Sequence, residues 1–143
     1  MLNYRSSVVV NRPPEIVFEY LADPAKQALW SDVPMRKLTE GNFATGSRME
    51  VTFGKGLLSA KLGLEFSDVQ PGRRMAWRTF SGPIAWDGEY RLAPAGEAAT
   101  ELTQEGHMRF KGLWRIFEPL VVAEMRGNEE KELERLKAAA EAA

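Results

Sequence analysis

The chain has 143 residues, and its 19 Lys and Arg against 20 Asp and Glu give a formal net charge of −1, which argues against a surface that neutralises nucleic-acid phosphates. It has no cysteine and one histidine, His107, which excludes disulfides, thiolate nucleophiles and metal sites built from cysteines or several histidines. A composition of 44% hydrophobic and 27% charged residues is typical of a globular protein, and the length predicts one domain over residues 1–143.

The N-terminal part of the chain predicts a strand and two short helices. Residues 2–10 end in three valines, a composition that favours an extended strand. Pro13-Pro14 predicts the start of a helix, because proline is tolerated in the first turn, and Asp23-Pro24 predicts its end. Asp23 is also a candidate N-cap for a second helix that ends at Trp30.

Residues 49–110 alternate between apolar and polar side chains, which is the pattern of strands with one apolar face. Turn residues such as Pro71-Gly72 and Gly82-Pro83 divide the region into hairpins, and hairpins make the sheet antiparallel. We expect a run of six strands after the short helices, and the alternating pattern assigns residues to five of them. Their apolar face carries Met49, Val51, Phe53, Leu62, Leu64, Phe66, Met75, Trp77, Thr79, Ile84, Trp86, Tyr90, Leu92, Leu102, Gln104, Met108 and Phe110.

From Gly112 the hydrophobic period lengthens to about 3.6 residues, which predicts one long terminal helix. Its apolar stripe consists of Leu113, Phe117, Leu120, Val121, Leu133 and Leu136. Pro119 lies inside the pattern and predicts a kink, since proline removes a backbone hydrogen bond. Glu132 with Arg135 and Glu134 with Lys137 are three residues apart, which predicts charge pairs at the solvated end of the helix.

A sheet with one apolar face needs a cover, and the terminal helix is the only predicted element long enough to supply it. Because a curved sheet does not close tightly on one helix along its whole length, we expect a cleft between them as the ligand site. The segment Phe53-Gly54-Lys55-Gly56-Leu57-Leu58 contains the G-x-G of a dinucleotide fingerprint, but Ser59 stands in the place of the third glycine. We interpret this segment as a flexible hairpin at the mouth of the cleft.

Several short motifs follow one another along nearly the whole chain. They are Pro13-Pro14 before Val17-Phe18-Glu19-Tyr20-Leu21, Asp23-Pro24, Trp30, Gly46 opening a strand, Pro71-Gly72-Arg73 with Trp77, Gly82 before the strand that carries Tyr90, Gly96 before Thr100-Glu101-Leu102, and Gly112 leading into Leu120. With these motifs in this order, the chain resembles the birch-allergen-like, START-related (SRPBCC) superfamily. It is most similar to the small bacterial polyketide cyclase/dehydrase and lipid-transport branch.

The resemblance implies an α+β helix-grip fold. In this fold a seven-stranded curved antiparallel sheet wraps around a long C-terminal helix, and two short helices lie between strands 1 and 2. The resemblance also implies an internal cavity for apolar or amphipathic small molecules. It implies no particular reaction, because this branch has no invariant catalytic motif. We therefore assign no catalytic residue, no metal and no other cofactor.

The predicted ligand-binding residues are those of the apolar sheet face and the helix stripe that would face the cleft. They are Leu64, Phe66, Trp77, Thr79, Trp86, Tyr90, Gln104, Met108, Phe117, Leu120 and Val121. The polar members Thr79, Tyr90 and Gln104 would orient a ligand. An ordinary filled core would contain the same side chains, so the residues alone do not separate a core from a pocket.

The ionisable residues of the strands are predicted to lie on the opposite, solvated face. His107 suits proton transfer near neutral pH, but alternation places it with Glu105 and Arg109, away from Met108. A β-bulge in that strand would reverse the facing of the residues that follow it.

Three functions fit these patterns. The first is the binding of a small hydrophobic or aromatic ligand, lipid- or polyketide-like, between sheet and helix. The second is a polyketide cyclase/dehydrase-like enzyme that uses the same cavity without a metal or covalent nucleophile. The third is a co-chaperone-like module that binds a protein through an exposed apolar patch.

The same patterns predict a cytoplasmic protein whose partner is a small hydrophobic ligand and not a nucleic acid. The first residues lack the basic and apolar regions of a secretory signal. No run approaches the ~20 apolar residues that span a bilayer. The sequence does not decide between a monomer and a homodimer.

Overall fold

A curved antiparallel sheet of seven strands dominates the computed structural model, which describes residues 2–54, 57, 59–125 and 127–143. The strands are β1 (Leu2–Val10), β2 (Met35–Lys37), β3 (Arg48–Phe53), β4 (Ala60–Gln70), β5 (Arg74–Ser81), β6 (Ile84–Pro94) and β7 (Thr100–Phe110). They lie in the order β1-β7-β6-β5-β4-β3-β2, so the first strand in the chain, β1, pairs with the last, β7. The strand that alternation left unassigned is β2, whose three residues are too few to establish a period.

The helices within these ranges are α1 (Pro14–Ala22), α2 (Pro24–Gln27), a 3-10 segment (Gly112–Ile116), α3 (Glu118–Met125) and α4 (Asn128–Ala142). The Oδ1 atom of Asp23 accepts a hydrogen bond of 2.9 Å from the backbone N–H of Ala25, so Asp23 caps α2 as predicted. The predicted helix-grip architecture is confirmed. None of the described helices is long and apolar enough to cross a membrane.

The inner face of the sheet and one face of α4 form a common core. Leu133, Leu136 and Ala140 of α4 are at most 1% exposed and belong to the same buried cluster as the inward side chains of the strands. The Nζ atom of Lys137 donates a hydrogen bond of 2.7 Å to the carbonyl of Val9, which holds α4 against the edge strand β1. This packing leaves the central strands β4 to β7 facing the first turns of α4.

The terminal helix differs from the prediction in where it breaks. Pro119 lies in the first turn of α3, where a proline is tolerated, so it does not kink a continuous helix. The chain instead adopts a positive φ of 82° at Gly127, immediately before α4. Glycine has no Cβ and adopts this backbone conformation without strain. Consequently the predicted stripe is not one face: Leu113 and Leu120 are 79% and 62% exposed, whereas Leu133 and Leu136 are buried.

Candidate functional site

A chamber of about 470 Å³ lies between the inner face of the sheet and the helices. Ordinary small-molecule sites begin at roughly 300 Å³. The strands and the adjoining loop line the chamber with Leu2, Tyr4, Met35, Thr52, Phe53, Gly54, Leu64, Phe66, Met75, Trp77, Ile84, Trp86, Tyr90, Gln104 and Met108. The helices and their connections line it with Leu21, Gln27, Trp30, Ser31, Asp32, Val33, Trp114, Leu120, Val121, Met125, Asn128, Glu129 and Glu132.

Nine of the eleven residues predicted to bind a ligand line this chamber. They are Leu64, Phe66, Trp77, Trp86, Tyr90, Gln104, Met108, Leu120 and Val121. Thr79 and Phe117 do not: the Oγ1 atom of Thr79 accepts a hydrogen bond from the backbone N–H of Trp86, and Phe117 packs edge-on against Trp114. From the predicted hairpin at the mouth, Phe53 and Gly54 line the chamber, while Lys55, Gly56 and Leu58 lie outside the described residues.

Four rings from strands β3, β5 and β6 form what we call the aromatic wall of the chamber, namely Phe53, Trp77, Trp86 and Tyr90. Trp77 lies between Trp86 and Tyr90, with ring centroids 5.4 Å and 5.1 Å apart. The contact of Trp86 with Phe53 is edge-to-face at 5.8 Å. Such tilted arrangements are favourable for aromatic pairs, and they leave ring faces for a flat apolar molecule.

Two paired glycines let the rings lie close to the backbone of the sheet. Gly106 of β7 is the direct cross-strand partner of both Gly88 and Tyr4. A Cβ atom at position 106 would lie 2.3 Å from Tyr4 Oη, and a Cβ atom at position 88 would lie 2.6 Å from the Trp77 ring. Tyr4 thus lies over Gly106, where its hydroxyl accepts a 2.9 Å hydrogen bond from Trp86 Nε1.

We expect Gly106→Ala to displace the Tyr4 ring and to lower the free energy of unfolding by about 1–3 kcal/mol, as overpacked cores do. Urea unfolding followed by circular dichroism measures the change. In a Tyr4→Ala background the clash is absent, so the same glycine substitution should then have a much smaller effect. Equal effects in the two backgrounds would contradict the contact.

The polar groups of the chamber are only partly paired. Gln104 is 4% exposed and donates from Nε2 to the hydroxyl of Tyr90 at 3.2 Å, while its Oε1 atom has no partner among the described residues. The Nε1–H group of Trp77, also 4% exposed, has none either. Burial raises the pKa of Tyr4 and Tyr90 above the ordinary value, so both phenols keep their protons at neutral pH.

Glu132 brings an ionisable group into the chamber. The prediction that it pairs with Arg135 at the solvated end of the helix is wrong. Its Oε1 atom accepts a 2.8 Å hydrogen bond from Asn128 Nδ2, one turn earlier on α4. Arg135 instead donates to the carbonyl of Trp30 at 2.9 Å and forms an ion pair with Asp32 at 3.2 Å. Burial raises the pKa of Glu132 to about 7.

The sequence pattern misplaces Glu132 because it extends one helical phase through Gly127. A glycine followed by asparagine is a signal for the end of one helix and the start of another. Restarting the phase at Asn128 would have placed Glu129 and Glu132 on one face, three residues apart. Asp32, in the connection after α2, carried no such periodic signal.

The ionisable side chains predicted to face solvent on β6 and β7 do so. The Nδ1 atom of His107 lies 2.7 Å from Asn3 Oδ1 on the exposed side of the sheet. Glu105 lies on the same face, within ion-pair distance of Arg91 at 3.4 Å. In the described part of the chain, no group of three or more histidine, aspartate or glutamate side chains is arranged to hold a metal ion.

The comparisons with known proteins agree with this fold. A family model described as polyketide cyclase / dehydrase and lipid transport matches residues 1–141. A search of curated proteins gives no match.

Several solved structures share the fold at low sequence identity. A Thermus thermophilus protein is 16% identical, with a TM-score of 0.79 over 99% of this chain and 98% of its own. The Zhui aromatase/cyclase from a Streptomyces species is 20% identical, with a TM-score of 0.72 over 98% of this chain and 93% of its own. Ara h 8.0201 is 11% identical, with a TM-score of 0.69 over 99% of both chains.

Proposed function

The chain belongs to the polyketide cyclase/dehydrase and lipid transport family, and from this premise we propose that it binds a small hydrophobic or aromatic molecule in the chamber. The observation that carries the proposal is the chamber of about 470 Å³ itself. Protein interiors are normally packed with few voids larger than a water molecule. An open volume of this size between the sheet and the helices therefore favours a ligand over a filled interior.

The lining supports the same class of ligand. The aromatic wall offers ring faces, and Leu64, Phe66 and Met108 are at most 3% exposed and add aliphatic and aromatic carbon. On the sheet side the polar groups are few, and those of Tyr90 and Gln104 support an orienting role toward a bound molecule. Apolar walls with a small number of polar groups are typical of small-molecule sites.

Ligand binding is tested with the neutral fluorescent probe N-phenyl-1-naphthylamine and with native mass spectrometry of protein purified from several hosts. We expect Val121→Trp, which narrows the chamber from α3, to weaken probe binding at least about tenfold. Leu113→Trp is the matched control, because Leu113 is 79% exposed on the adjoining 3-10 segment. Equal binding by both variants, or a native protein that neither carries a compound nor binds the probe, would overturn the proposal.

A second candidate function, a cyclase/dehydrase-like enzyme, is favoured by the carboxyl group of Glu132 in the chamber. Its pKa of about 7 suits a group that takes a proton from carbon and returns it to a departing hydroxyl, with loss of water. We expect Glu132→Gln to lower turnover of a poly-β-ketone at least about 100-fold while the neutral probe still binds. Unchanged turnover would exclude this role for Glu132.

The protein-interaction module suggested by the sequence stays a prediction. Leu113, Ile116 and Leu120 are 79%, 70% and 62% exposed, and such a module would use side chains of this kind.

A further inference from the structure

All charged side chains that line the chamber in the described part of the chain are acidic. We call them the acidic wall: Asp32, Glu129 and Glu132. Neither a lysine nor an arginine nor the histidine lines the chamber within these ranges. Glu129 and Glu132 share one face of α4, and Arg135 of the same helix joins Asp32 to it at 3.2 Å. The chamber thus has a negative side at α4 and an uncharged, ring-lined side at the sheet.

Arg135 forms its ion pair with Asp32 and not with the other two carboxylates. Among the residues that the structure describes, neither Glu129 nor Glu132 has a Lys or Arg nitrogen within 4.0 Å. Asn128 supplies Glu132 with a neutral amide donor at 2.8 Å. A carboxylate that is partly removed from water gains most from a positively charged hydrogen-bond donor, because charge-assisted bonds are about twice as strong as neutral ones.

A second, independent observation lies on the sheet side of the chamber. Gln104 is 96% buried, and its Oε1 atom accepts no hydrogen bond from the described residues. Buried acceptors are nearly always paired in native proteins, so this atom calls for a donor from a ligand. The unpaired Nε1–H of Trp77 could in the same way donate a hydrogen bond to a ligand acceptor, such as a hydroxyl or carbonyl oxygen. Both side chains adjoin Tyr90, Gln104 through a hydrogen bond and Trp77 through ring contact.

We propose that the chamber selects an organic cation, a hydrophobic or aromatic amine whose ammonium group lies against Glu129 and Glu132 and whose apolar part lies against the aromatic wall. This inference rests on the proposed function and names the ligand class of that same site. An ammonium group supplies N–H donors to the carboxylates, and the faces of Trp77, Trp86 and Tyr90 attract positive charge. An acidic ligand would meet only like charge along the acidic wall.

The test compares three molecules of matched shape by isothermal titration calorimetry at pH 8. They are 2-(2-naphthyl)ethylamine, the corresponding alcohol and 2-naphthylacetate. We expect the native protein to bind the amine at least about tenfold more tightly than the alcohol, and the anion most weakly, as charge-assisted hydrogen bonds predict. Glu132→Gln should remove most of this preference by weakening amine binding while leaving alcohol binding within about twofold.

The controls separate charge selection from folding. Glu134→Gln changes an exposed carboxylate on the same helix and should keep the native preference. If Glu132→Gln does not fold, Glu129→Gln is the second variant and should also reduce the preference. Equal affinity of the native protein for amine and alcohol would overturn this inference while leaving the proposed function standing. Binding of none of the three molecules or of the neutral probe would overturn the proposed function itself.

Discussion

Replacing Leu136 with alanine is expected to lower the free energy of unfolding by about 2–5 kcal/mol, the range found for buried leucines. Leu136 is 0% exposed, and together with Leu133 and Ala140 it forms the buried face of α4. Removing its side chain leaves a cavity between this helix and the sheet, because neighbouring elements relax only in part. Urea unfolding monitored by tryptophan fluorescence measures the change.

Leu113→Ala is the matched control for this experiment. The repeat of apolar residues after Gly112 assigns both leucines to one stripe, yet Leu113 is 79% exposed. Substitutions at such exposed positions usually change stability by less than about 0.5 kcal/mol. A comparable loss in both variants would mean that the segment before Gly127 packs as the uninterrupted stripe predicts.

The sheet and its inner face could be predicted because their signals are local. The period of two along β6 and β7 determines which side chains face inward, and no bulge interrupts the pairing of these two strands. Trp86, Tyr90, Gln104 and Met108 therefore reach the chamber as alternation predicted. The register of β1 with β7 also follows one alternation along its length, which places His107 outside.

The helix side of the site could not be predicted in the same way. A periodic pattern gives the face of a helix only relative to its own start, and the positive φ of Gly127 restarts that phase. One phase carried through Gly127 therefore places Glu132 at the solvated end of the helix and gives no reason to single out Glu129. The volume of the chamber is even harder to predict from the sequence, because it depends on how closely α3 and α4 approach the sheet and not on any single residue.

Replacing Glu132 with glutamine is expected to change how stability depends on pH. The carboxyl has a reference pKa of 4.5 in the unfolded chain and a pKa of about 7 in the folded protein, where burial disfavours the charged form. Between these values the folded state binds more protons than the unfolded state, so native stability falls as pH rises from about 4.5 to about 7 and levels off above. The loss amounts to up to about 3 kcal/mol for one carboxyl.

A glutamine cannot ionise, so the Glu132→Gln variant should match the native protein at pH 4 and exceed its stability by up to about 3 kcal/mol at pH 8. The groups around this carboxyl are Asp32 and Glu129, which raise its pKa further, and Arg135, which lowers it. Urea unfolding at several pH values measures the difference, with the exposed Glu134→Gln as the control. A difference that does not vary with pH would show that Glu132 is not titrating inside the fold.

The direction of this effect bears on function. A carboxylate that destabilises the native protein above pH 7 has no structural advantage over glutamine at that position. Its charge becomes favourable when a cation occupies the chamber, because an ammonium group then replaces the water that burial removed. We therefore expect 2-(2-naphthyl)ethylamine at one fixed concentration, well above its Kd for the native protein, to raise the unfolding temperature of the native protein at pH 8 more than that of Glu132→Gln. At a given ligand concentration, the stabilisation grows with the logarithm of the affinity for the folded state. An equal shift of the unfolding temperature in the two proteins would show that the carboxyl group of Glu132 does not select the ligand.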